Sequence, residues 1–163
     1  MIRRTFTYHR FQIIAALSVG LFLTVAAALP GPLEAQTTGT ATLTVHVTGV
    51  RNAKGKIRVA LFRDGKGFPN DASQAVQTQA ADIDPQTLSA QVVFADLRTG
   101  AYAVSVFHDE NMNEKLDKNV IGMPKEGYGA SNNPKKKMGP PNLDEAKFQL
   151  SGIEQLLEIK LIY

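Results

Sequence analysis

A hydrophobic period of two narrows the fold more than any other feature of this chain. From Thr40 to Val50, Leu43, Val45 and Val47 fall on one side and Thr42, Thr44, His46 and Thr48 on the other. Lys56–Phe62 repeats the pattern with Ile57, Val59 and Leu61, and Ala101–Phe107 with Tyr102, Val104 and Val106. β-Branched residues alternating with polar ones make half-buried strands, with one face on a core and the other in water. Arg51–Gly55 joins the first two as a hairpin turn. Ser89–Phe94, Ala146–Leu150 and Leu156–Tyr163 add strands, and a short one is expected near Ala75–Gln79. Phe94–Tyr102 reads F-x-x-L-x-x-G-x-Y: a strand, a tight turn through Gly100, and a returning strand whose Tyr102 packs over the turn. Past residue 35 no segment sustains a helical period. The expectation is all-β: an antiparallel β-sandwich of about seven strands, one domain over 40–163. His46, on a polar face, is expected to be solvated.

The first 35 residues are of a different kind. Arg3, Arg4 and Arg10 precede an apolar run from Phe11 to Leu29, which ends in Pro30-Gly31-Pro32-Leu33-Glu34-Ala35. A charged start, an apolar middle and a helix-breaking end predict a signal-peptide helix, cleaved after Ala35, with 36–39 as a short linker. An uncleaved membrane anchor is the competing reading, because the run is near the short limit for spanning a bilayer. The expected location is periplasmic or secreted. With residues 1–35 removed, Lys+Arg falls from 18 to 15 and Asp+Glu from 15 to 14, so the basic balance belongs mostly to the leader. The rest lacks the basic, aromatic-studded face that nucleic acid requires. The absence of cysteine excludes disulfides and thiolate metal sites.

The chemistry concentrates in one long loop, expected to be ordered, which follows the Ala101–Phe107 strand. Asp109, Asn111, Asn113, the backbone carbonyl of Lys115, and Asp117 alternate, as in the first nine places of a D-x-N-x-N calcium loop. Leu116 falls where such loops place an apolar anchor. Glu114 stands where Gly eases the sharp turn, and Val120 where a bidentate Glu closes the shell. Glu126 or Glu110 is a conjectural substitute. Asp/Asn-rich turns also form without metal, because these side chains bond their own backbone. His108 shares its face with Val104 and Val106, so it is either buried and hydrogen-bonded or a ligand or acid–base group. From Gly122 to Asn142 lie four of the thirteen glycines and four of the eight prolines. Ile121, Met123, Tyr128 and Met138 are expected to anchor this segment. His108, Glu126, Tyr128, Ser131, Asn132 and Asn133 are expected to give the loop a hydrogen-bonding surface, suited to a ligand or to holding the loop itself. A Ser131–His108–Asp hydrolase triad can be written, but Ser131 lacks a nucleophile-elbow setting.

H-D-E-N-x-N-x-x-L-D, G-x-P-x-E-G-Y-G-x-S-N-N, G-P-P and A-x-F (Ala146, Phe148) together resemble bacterial domain-of-unknown-function family 2141 over roughly residues 40–163. The resemblance implies an exported β-sandwich protein, mostly of Gram-negative bacteria. Glu114 replaces a Gly common in that family. The strand-and-loop arrangement is also similar to prealbumin-like domains of bacterial adhesins, where such loops bind calcium. Hydroxyisourate hydrolase shares the prealbumin-like fold, but its Y-R-G-S ending is absent here. The functional expectation is a non-enzymatic binding or structural module of the envelope, prealbumin/Ig-like, with Ca²⁺ as the one candidate cofactor. Its partner would be an envelope protein or small ligand, with membrane contact only through an uncleaved leader. The alternatives are a small periplasmic hydrolase using His108, or a metal-free envelope scaffold.

Overall fold

The computed structural model describes residues 40–135 and 139–163. The expected signal segment 1–35, the linker 36–39 and the expected anchor Met138 lie outside the described residues. Alternation produces strands where it was expected, and they form two sheets. Strand β1 (Thr40–Thr48) lies between β4 (Ala90–Arg98) and β8 (Glu154–Lys160). The second sheet runs β3 (Gln77–Ala81), β2 (Lys56–Arg63), β5 (Gly100–Asp109) and β6 (Tyr128–Ala130), with β7 (Phe148–Leu150) on the start of β5.

The pairing is not antiparallel throughout. Strand β8 runs parallel to β1, with Leu43 opposite Gln155 and Val47 opposite Ile159. A parallel neighbour needs a long crossover, and the detour through the other sheet supplies it. The late strand also begins later than alternation indicated. Leu143–Ala146 forms one helical turn, α1, because the Asn142 side chain caps it by accepting from Asp144 N at 3.1 Å. One turn is too short to show a helical period in sequence.

Facing side chains of the two sheets make the core. Leu43, Val45, Val47 and Phe94 meet Ile57, Leu61, Val104 and Leu150, all essentially inaccessible. A smaller cluster sits outside the second sheet, where Phe62 meets the Phe68 ring edge-on at 5.7 Å and Ala103, Ala130 and Ala146 pack with Leu143. Side-chain amides tie both edges of the sandwich. Gln79 Nε2 donates to Val93 O at 2.7 Å on one edge. On the other, Asn133 Nδ2 donates to Glu158 O at 2.8 Å while its Oδ1 accepts from Lys160 N at 2.7 Å. Among the described residues no helix is long and apolar enough to cross a membrane.

Tyr102 packs over the β4–β5 turn as expected: its hydroxyl donates to Arg98 O at 2.8 Å, and the ring is buried. Tyr102→Phe deletes that bond and is expected to cost about 1 kcal/mol in urea unfolding. An unchanged midpoint would contradict the role.

Candidate functional site

The alternation of β5 carries His108 into the core beside Val104 and Val106, and Asp109, the last strand residue, is inaccessible as well. A buried carboxylate needs partners. Asp109 Oδ1 accepts from Asn113 N at 3.0 Å, and Oδ2 accepts from Glu114 N at 3.0 Å and from Arg58 Nε at 2.5 Å. Burial pushes the Asp109 carboxyl up. The Arg58 guanidinium and the two amides outweigh that and hold it below the ordinary carboxylate range. Arg58 also reaches Glu114 Oε1 at 3.0 Å.

The loop then winds as a D-x-N-x-N segment. Met112 and Glu114 take left-handed φ of 60° and 65°. A side chain in that conformation costs about 1 kcal/mol relative to Gly, and at Glu114 it brings the carboxylate to Arg58. Asn111 Oδ1 accepts from Asn113 N at 3.1 Å and Asn113 Oδ1 from Lys115 N at 2.9 Å. The two amide groups then donate to Asp117, Asn111 Nδ2 to Oδ2 at 2.8 Å and Asn113 Nδ2 to Oδ1 at 3.0 Å. Glu126 clasps the loop's two ends, its Oε1 accepting from Glu110 N at 2.9 Å and its Oε2 from Asp117 N at 3.0 Å.

Asp109, Asn111, Asn113 and Asp117 are thus linked by hydrogen bonds within one loop. The winding fits a cation loop; the donor set fits less well. Arg58 already neutralises Asp109, both Glu126 oxygens hold backbone amides, and Val120 at the closing place is fully exposed. Leu116 is half-buried at the sheet surface rather than in the core.

His108 is engaged at both nitrogens. Nε2 lies 2.6 Å from Lys54 O, and a carbonyl only accepts, so Nε2 carries the proton. In the neutral ring Nδ1 then accepts from the Tyr163 hydroxyl at 2.8 Å, which itself accepts from Arg51 N at 3.1 Å. Burial raises the Tyr163 phenol, keeping it a donor at neutral pH. Arg51 stacks over the Tyr163 ring at 4.5 Å and lies 2.6 Å from the buried Glu110 Oε1, a charge contact whose N–H points off the line.

The expected loop surface is mostly interior. Glu126 and Ser131 are buried with His108, while Tyr128 is half-buried in β6. The Ser131 hydroxyl donates to Ala146 O and accepts from Val104 N. Asn132 is exposed, yet its Nδ2 donates to Glu145 O at 3.1 Å and Lys147 O at 2.9 Å. A Cβ on Gly127 would lie 2.4 Å from the Tyr163 ring, and one on Gly129 2.8 Å from Ile159, so this pair of glycines lets β8 close in. The segment Glu126–Asn133 is a clasp between the sheets. The expected anchors Ile121 and Met123 are instead exposed.

Residues 45–157 match the model of a family described as an uncharacterized protein conserved in bacteria, DUF2141. The chain belongs to this family. No curated protein and no solved structure matches it. The motif stretches of this DUF2141 chain therefore read as its loop and its clasp. Arg58, Arg51 and Tyr163 are the site residues that sequence reasoning missed. Arg58 looked like an outward residue of an alternating strand, and its partner Asp109 is 51 positions away.

Asp109 is depressed in the folded state, so its contribution to stability is complete above the unfolded value of about 3.9 and fades as pH falls through the lower folded value. Asp109→Asn is expected to lose roughly 2–4 kcal/mol at pH 7, since it removes the buried one of Arg58's two carboxylate partners and leaves only the exposed Glu114, and to flatten the decline of stability below pH ~4. Urea midpoints across pH measure both. A variant as stable as the parent at pH 7 would contradict the arrangement.

Proposed function

We propose that this chain is an exported, non-enzymatic binding module of the cell envelope, built on a prealbumin/Ig-like sandwich. The observation that carries the reading is the state of its reactive side chains. His108, Asp109, Glu126 and Ser131 are buried, and each is committed to backbone groups, Tyr163 or Arg58. A general base or nucleophile must reach a substrate atom; these groups face the fold. A groove of about 500 Å³ opens to solvent on the outer face of the second sheet. Arg58, Phe107 and Leu116 line it, and Pro69, Ser105 and Lys118 continue into a further recess of about 150 Å³. That volume suits a small ligand or a short segment of an envelope protein. A panel of ester, amide, phosphate and glycoside substrates tests the reading. No turnover is expected; turnover abolished by His108→Gln, with the fold retained by circular dichroism, would overturn it in favour of a hydrolase.

A second reading, weak Ca²⁺ binding at Asp109, Asn111, Asn113, the Lys115 carbonyl and Asp117, is supported by the left-handed turns at Met112 and Glu114. Arg58 on Asp109 and the missing closing carboxylate put the affinity near the millimolar class of extracellular calcium modules, roughly 10⁻³ M. Ca²⁺ at about 10 mM then stabilises by about 1.4 kcal/mol, a rise in melting temperature of about 3–6 °C that Asp117→Asn removes. No shift with Ca²⁺ or chelator would leave a metal-free scaffold.

A further inference from the structure

The tip of the loop exposes apolar residues that the fold does nothing to hide. Val120 is 104 % exposed and Ile121 79 %, with Met123 beside them at 43 %. Loops usually place polar residues at such points, and two adjacent β-branched side chains in water are a liability unless something covers them. The tip is also a built turn. Asn119 Oδ1 accepts from Ile121 N at 3.1 Å and from Met123 N at 2.9 Å. Asn119 N donates to Met123 O at 2.8 Å and Gly122 N to Asn119 O at 2.9 Å. Below it Lys118 bridges to Pro124, and Lys125 N donates to Asp117 O at 2.8 Å. One asparagine therefore aims Val120 and Ile121 outward, and the Glu126 clasp sets the whole turn on the sandwich.

Lysines stand on both sides of the tip in sequence, Lys118 before it and Lys125 after it. Lys115, Lys118 and Lys125 are exposed at its base. The nearby carboxylates are engaged elsewhere: Glu110 on Arg51, Asp109 and Glu114 on Arg58, Glu126 on backbone amides, and Asp117 on the amides of Asn111 and Asn113. An apolar point with exposed lysines at its base matches an anionic lipid surface, where side chains enter the headgroup boundary and cations stay among the phosphates. A stable protein interface buries about 800 Å² on each partner, far more than three side chains on a convex turn offer.

We propose that the tip Asn119–Met123 is a docking prong for an anionic phospholipid surface, inserting Val120, Ile121 and Met123 while Lys115, Lys118 and Lys125 meet the headgroups. This contact needs no leader. It goes beyond the binding-module reading, which uses the groove, and needs only that the 110–126 loop be preformed.

Gln36–Tyr163 is a compact unit holding the whole described core, so it can be tested without residues 1–35. The chain has no Trp, so Ile121→Trp places a single reporter at the tip. With vesicles of neutral phospholipid containing about 30 % anionic phospholipid, its emission should shift to the blue. The parent should cosediment with those vesicles at least about tenfold more tightly than with purely neutral ones. Val120→Ser/Ile121→Ser and, separately, Lys118→Glu/Lys125→Glu should each weaken cosedimentation by about tenfold or more. No cosedimentation, or binding untouched by the serine pair, would overturn the proposal. So would a dimer in sedimentation equilibrium that the serine pair dissolves, which would assign the tip to a second copy. Trypsin separates this failure from failure of the loop reading. Rapid cutting after Lys118 or Lys125 in the free protein overturns both, whereas a resistant loop with no vesicle binding overturns the prong alone.

Discussion

The loop depends on one buried carboxylate. Asp109 sits at the end of β5 with no access to solvent, and three donors hold it: Arg58 and the amides of Asn113 and Glu114. Removing a charge from water costs several kcal/mol unless it is paired and hydrogen-bonded, so those donors have to stay in place. That requirement forces the left-handed turns at Met112 and Glu114 and seats Asn111 and Asn113 against Asp117. Glu126 applies the same chemistry from the far end of the loop. Two carboxylates thus do for this loop what a cation does in a calcium-bound one: they gather backbone groups around a fixed charge.

The clasp that follows extends this order to the sandwich. Strand β6 pairs with β5, and Tyr128 bridges to Ile162 past the end of β8. Asn133 saturates the backbone at Glu158 and Lys160. Gly127 and Gly129 leave room for Tyr163 and Ile159, and Tyr163 returns to His108 through its hydroxyl. A motif rich in Ser, Asn and Glu thereby serves packing and backbone satisfaction.

Sequence period made the strands legible, because a face either enters the core or does not. It gave Leu43, Ile57 and Val104 their sides, and it placed His108 inside by parity alone. Parity could not show which groups meet across the fold. Asn132 and Asn133 look like a solvated turn until Glu145, Lys147, Glu158 and Lys160 are brought to them. Arg58 looks like a surface residue until Asp109 arrives, and the direction of β8 depends on a crossover that no local pattern encodes. Ile121 and Met123 were misplaced for a related reason. Hydrophobicity says that a side chain gains from burial, not that a neighbour is there to bury it.

These features give the loop its shape before any ligand arrives. Native-state amide exchange in the presence of chelator tests this most directly, read at Glu110, Asn113, Glu114 and Asp117. All four amides should be protected, and Glu126→Ala should release Glu110 and Asp117 while the strand amides of β2 and β5 stay slow. Unprotected amides in chelator that become protected only when Ca²⁺ is added would contradict the account, because the loop would then be organised by the ion and not by its own carboxylates.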